Sequence, residues 1–113
     1  MNAQKMLEEP RYRELAREAL HRVESAFDEV DLEDADVESS GDVVNITFRG
    51  GSRCVVNTQG PTRQLWLAGA GRGWHFSWDE DSGRWLDDRG AGEELFAVLT
   101  RISRDAIGFE PAF

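Results

Sequence analysis

Apolar residues recur along the chain with two different periods. From about Pro10 to Val30 the positions Tyr12, Leu15, Ala16, Ala19, Leu20, Val23, Phe27 and Val30 return at intervals of three and four, the spacing that lines one face of a helix. Pro10 suits the first turn of that helix, where its missing N–H costs nothing. The period then shortens to two. In VVNITFRG, Val44, Ile46 and Phe48 alternate with Val43, Asn45, Thr47 and Arg49, and the pair Gly50-Gly51 predicts a hairpin into RCVVN. QLWLA, the turn GAGRG, WHFSW, the turn DEDSG and RWLD continue the pattern, so the middle of the chain predicts four or five short strands in an antiparallel meander. The final segment EELFAVLTRISRDAI returns to helical spacing through Leu95, Leu99, Ile102 and Ala106, and Gly108 ends it.

Helix, meander, helix predicts an α+β fold, a two-layer sandwich in which both helices pack on one face of the antiparallel sheet. With 113 residues the chain has room for one core, and residues 1–113 read as a single domain. The opposite sheet face must then meet water. Alternation in QLWLA sets Leu65 and Leu67 against Gln64, Trp66 and Ala68. If the leucines lie beneath the helices, Trp66 stands with Gln64 in water, alongside Asn57 and His75. An exposed aromatic beside amides can pack on flanking sheet residues, or serve as an interface anchor. Trp74, Phe76 and Trp78 are expected to point inward, His75 and Ser77 outward, and Trp85 to face either way.

Charge is unevenly placed. The formal net charge is −9, which argues against nucleic-acid binding, since phosphate contacts need clustered Lys and Arg. Between Arg22 and Arg49 there is no Lys or Arg, while nine of the 22 acidic residues fall there, so acids and bases elsewhere cancel. Glu24, Asp28 and Asp31 would share one stripe if the helix runs through them, each like-charge neighbour costing about 0.2–0.5 kcal/mol. A solvated charged face is one reading of this segment; binding of a metal ion or a basic partner is the other. Carboxylates without a thiolate suit Fe²⁺, Fe³⁺, Mn²⁺, Ca²⁺ or Mg²⁺ and do not choose among them, and ligands spread on a surface predict weak binding of several ions. His21 lies one turn from Glu24 and is a secondary candidate for metal, as His75 is for metal or partner.

Several chemistries are unsupported. Cys54, the only cysteine, sits between apolar neighbours; it reads as a buried, inert thiol, with no intramolecular disulfide and no thiolate zinc site. No run of about 18 apolar residues predicts a membrane span. The first residues show neither the apolar core of a signal peptide nor the Arg-rich, acid-poor composition of a transit peptide, so a cytoplasmic location is expected. No nucleophile constellation or P-loop appears, and GAGRG lacks the strand-to-helix context of a phosphate loop.

The order of elements and the strand VVNTQGPTRQLWLA resemble the frataxin family, in its bacterial branch. GWHFSWD and GRWLDDR resemble the two strands that follow, the second built around Trp85. Gly60 replaces a larger polar residue common in the family, and the turn DEDSG is longer than the bacterial branch would lead one to expect. The resemblance covers nearly the whole chain and implies a frataxin-like α-β(4–6)-α domain, non-enzymatic, cytoplasmic and monomeric, with iron-dependent oligomers as an option. It also implies weak binding of iron as Fe²⁺ or Fe³⁺, other divalent cations substituting, and regulation of iron–sulfur cluster assembly by docking on the cysteine desulfurase and its scaffold protein, with iron donation as a further option. The acidic ridge then maps to Glu24, Asp28, Glu29 and Asp31 in the first helix and to Glu33, Asp34, Asp36 and Glu38 at the first strand. The docking face maps to Asn57, Gln59, Gln64 and Trp66. Two alternatives stand beside this reading: a ferroxidase or iron-storage activity, and an acidic cation-binding module unconnected to cluster assembly.

Overall fold

The computed structural model describes residues 7–89 and 92–113. Helix α1 spans Glu9–Ser25 and helix α2 Leu95–Ile107, and between them run β1 (Ala35–Ser40), β2 (Val43–Phe48), β3 (Arg53–Gln59), β4 (Gln64–Gly69), β5 (Arg72–Asp79) and β6 (Arg84–Asp87). The six strands form one antiparallel sheet in sequence order, joined by tight turns. Gly50 and Gly51, both with φ near +95°, close the hairpin between β2 and β3 in a backbone region that side-chain-bearing residues avoid.

The period-two pattern places the core on the helix-covered face. Val44, Ile46, Phe48, Cys54, Val56, Leu65, Leu67, Trp74, Phe76 and Trp85 are buried there, against Tyr12, Ala16, Ala19, Leu20 and Val23 of α1 and Leu95, Val98, Leu99 and Ile102 of α2. Trp85, ambiguous in sequence, faces inward opposite Trp78 and is 2% exposed. Cys54 is fully buried, and desolvation pushes its thiol up to about 12. Glu94 caps α2, its carboxylate accepting from the backbone N–H groups of Phe96 and Ala97 at 3.0 and 3.1 Å, and Gly108 at φ 72° closes the other end.

The first helix is shorter than its apolar spacing predicts. It stops at Ser25, and residues 26–30 continue as turns in which Phe27, Asp28 and Val30 donate to the carbonyls three residues back. Phe27 stays buried and Val30 half-buried, because a tighter turn keeps a three-residue spacing on the same side. Asp28 and Glu29 would otherwise extend the negative end of the helix dipole, where acids are unfavourable. One consequence corrects the ridge: Asp28, Glu29 and Asp31 lie beyond the helix, and no helical stripe joins them to Glu24.

Candidate functional site

The outer sheet face is ordered by strand register. Asn57 pairs with Trp66 and Trp66 with His75, so these three form a row across β3, β4 and β5. The adjacent row is Gln59, Gln64, Ser77 and Leu86. Every sequence-predicted docking residue falls in these two rows, on the face that neither helix covers. Asn57 and Gln59 are half-buried. The Asn57 amide donates to the Thr58 carbonyl at 3.0 Å. At the rim, Tyr12 of α1 pins the turn between β3 and β4: its hydroxyl donates to the Gln64 carbonyl at 2.7 Å and accepts from the Gln59 N–H at 3.1 Å.

Gln64 and Trp66 do not stand in open water as alternation alone predicts. Trp66 is half-buried and stacks on the His75 ring, centroids 4.1 Å apart at 13°. Its indole N–H donates to Gln64 Oε1 at 3.0 Å. Gln64 is only 9% exposed, and its Nε2 donates to Asp88 Oδ2 at 2.9 Å and to Ser77 Oγ at 3.1 Å. Asp88 Oδ2 in turn lies 3.8 Å from His75 Nδ1. These contacts join the face into one polar and aromatic cluster, and alternation misses the burial of Gln64 because Asp88 follows the last strand. The signal that finds Asp88 is register: Asp87 pairs with Phe76, so the next residue comes opposite His75.

The acidic residues wrap the sheet edge instead of a helix. Glu24 is on α1, and its carboxylate accepts a hydrogen bond from Ser39 Oγ. Asp28, Glu29, Asp31 and Glu33 are exposed in the connection to β1, together with Leu32. Asp36 and Glu38 are exposed on the outer side of β1, opposite Thr47 and Asn45. Acids on an edge strand also guard it against pairing with another chain. Asp34 is half-buried and ion-paired to Arg49, so a base outside the acidic segment offsets one charge that the segment alone leaves unbalanced. Among the described residues no three His, Cys, Asp or Glu side chains come together as a metal-holding group. His21 is exposed, 3.5 Å from Ser25 Oγ through Nε2.

Residues 5–109 match the family model of the frataxin-like domain. The chain is 40% identical over 107 residues to the iron-sulfur cluster assembly protein CyaY of Azotobacter vinelandii, an alignment that covers 95% of this chain and 96% of the relative. To the CyaY protein of Pseudomonas aeruginosa it is 39% identical over 107 residues, with 95% and 97% covered. The frataxin structure from Psychromonas ingrahamii superposes with a TM-score of 0.82 at 24% identity, covering 93% of this chain and 96% of that one. A trimeric frataxin from Saccharomyces cerevisiae, complexed with ferrous iron, superposes with a TM-score of 0.60 at 26% identity, covering 96% and 94%.

Proposed function

The chain belongs to the frataxin family, and from that membership we propose that it serves iron–sulfur cluster assembly in the cytoplasm, binding iron weakly and regulating the assembly complex by docking on the cysteine desulfurase and its scaffold. The observation that carries this reading is the pair of outer-face rows that bring Asn57, Gln59, Gln64 and Trp66 together on a surface no helix covers. A half-buried aromatic set among amides is the composition of an interface anchor. The exposed acids of residues 28–38 lie along one edge of the same sheet, where they offer a basic partner a charged rim that steers encounter.

Iron is cargo in this reading, and the donor set fits it as a weakly held ion. Glu24, Asp28, Glu29, Asp31, Glu33, Asp36 and Glu38 supply hard oxygens in an open arrangement, which suits several loosely bound Fe²⁺ or Fe³⁺ ions and discriminates little against Mn²⁺ or Ca²⁺. Asp34, held by Arg49, contributes least. Carboxylates this dispersed favour stoichiometric binding over ferroxidase turnover. A ¹⁵N NMR titration of the full chain, first with Fe²⁺ under argon and then with the desulfurase, tests both halves. Iron is expected to move or broaden the amides of residues 24–38, and the desulfurase to move those of β3 and β4 as well. A desulfurase titration that leaves residues 57–66 unmoved would remove the docking face from this reading; amides 24–38 that ignore iron would remove the ridge.

A further inference from the structure

Gln64 can place its amide in two nearly isosteric orientations, and its partners decide between them. The Ser77 hydroxyl donates or accepts and is indifferent. The Trp66 indole N–H only donates, so it requires the amide oxygen. An ionised Asp88 carboxylate only accepts, so it requires the amide nitrogen. The two one-way partners sit at opposite ends of the amide and select the same orientation, with Nε2 on Asp88 at 2.9 Å and Oε1 on the indole at 3.0 Å. Asp88 is itself fixed by its backbone, whose N–H donates to the His75 carbonyl at 2.9 Å. Its carboxylate also lies 3.8 Å from His75 Nδ1, and the His75 ring stacks on Trp66. One hydrogen-bonded path thus runs from the carboxylate to the indole N–H through the Gln64 amide, while the His75 ring backs the face of the indole.

We propose that Asp88 is a positioning residue of the docking face, fixing Gln64 so that Trp66, backed by the His75 ring, is presented to a partner in one orientation with its N–H already satisfied. The inference rests on reading this face as the docking surface, and it assigns the recognition chemistry there. Trp66 contributes ring surface and no hydrogen bond, and Gln64 acts through Trp66 without reaching the partner. The partner contact is therefore apolar or cationic, a side chain laid against a ring that is rigid before it arrives. Ordering a large side chain in advance removes that entropy cost from binding.

The test compares Asp88→Ala with Asp88→Asn, whose amide oxygen still accepts from Gln64 Nε2. In ¹⁵N spectra of the free protein the Trp66 indole N–H, identified by its loss in Trp66→Phe, is expected to shift and to exchange faster with solvent in Asp88→Ala, and to return toward the parent in Asp88→Asn. Desulfurase affinity should fall about two- to tenfold in Asp88→Ala and recover in Asp88→Asn, with melting temperatures of both variants close to the parent. An indole resonance that ignores Asp88→Ala overturns the proposal. So does an Asp88→Asn variant that binds as poorly as Asp88→Ala while its indole is restored, because the carboxylate would then be touching the partner directly. The indole measurement needs no partner, so it is independent of docking. If Trp66→Ala binds the desulfurase as the parent does, the docking reading fails whatever the indole reports.

Discussion

At the scale of single residues, two tryptophans with the same chemistry are set apart by which side of the sheet they face. Trp74 is 2% exposed in the core. Trp66 is half-buried, held by one hydrogen bond and one stacked ring. Replacing Trp74 with Ala leaves a cavity and should cost about 3–5 kcal/mol, whereas Trp66→Ala should cost about 1–2 kcal/mol; urea unfolding of the two variants measures the difference, and equal losses would mean Trp66 is a core residue. Cys54 yields a prediction in pH. Burial pushes its thiol up from the ordinary value of 9.0 to about 12 in the folded protein, so between these values the unfolded state has released a proton that the folded state keeps. The contribution is complete below pH 9 and is lost as pH rises, at up to about 1.4 kcal/mol per pH unit. Cys54→Ala should lack that part of the alkaline slope, and an unchanged slope would place the thiol in solvent contact. The sequence told inward from outward correctly at these residues, because alternation encodes it. It could not tell that Gln64 is covered, because that depends on Asp88, which is distant in sequence and outside any alternating strand.

At the scale of elements, helix ends are governed by side chains that hydrophobic spacing ignores. Glu94 satisfies two orphan N–H groups of α2, so Glu94→Ala should cost about 1 kcal/mol and Glu94→Gln, which keeps an accepting oxygen, distinctly less; thermal melts of the pair check it. The strands β2 to β6 and the Gly50-Gly51 hairpin were legible from alternation and turn chemistry, and the sixth strand, β1, was not. The end of α1 was not, since Phe27 and Val30 keep a spacing that serves a helix or a tighter turn equally well. That ambiguity matters for the ridge. A helix through residue 31 would stack Glu24, Asp28 and Asp31 on one stripe, whereas the observed turns spread the acids around the open edge of β1. Edge strand β1 itself carries little apolar signal, its inward positions being Ala35, Val37 and Ser39, and its placement depends on pairing with β2.

At the scale of the whole molecule, the net charge of −9 is concentrated on that edge, where self-repulsion works against the compact state. A cation bound only by the folded edge adds RT ln(1 + [L]/Kd), about 2.7 kcal/mol at a hundredfold excess over Kd. Millimolar Ca²⁺ or Mn²⁺ should therefore raise the melting temperature, and monovalent salt should raise it less, by screening alone. The structure separates acids that create the repulsion from one that does not. Asp28, Asp31 and Glu33 are exposed, while Asp34 is paired with Arg49. Neutralising Asp28, Asp31 and Glu33 to their amides should stabilise the metal-free protein and flatten its response to divalent cations. Asp34→Asn should do neither, because it removes an attraction along with a charge. Calorimetric melts with and without Ca²⁺ decide the matter: a triple amide variant that still gains stability from the cation would move the binding carboxylates elsewhere, and an Asp34→Asn protein that gains stability without metal would mean that the pair with Arg49 does not offset the charge.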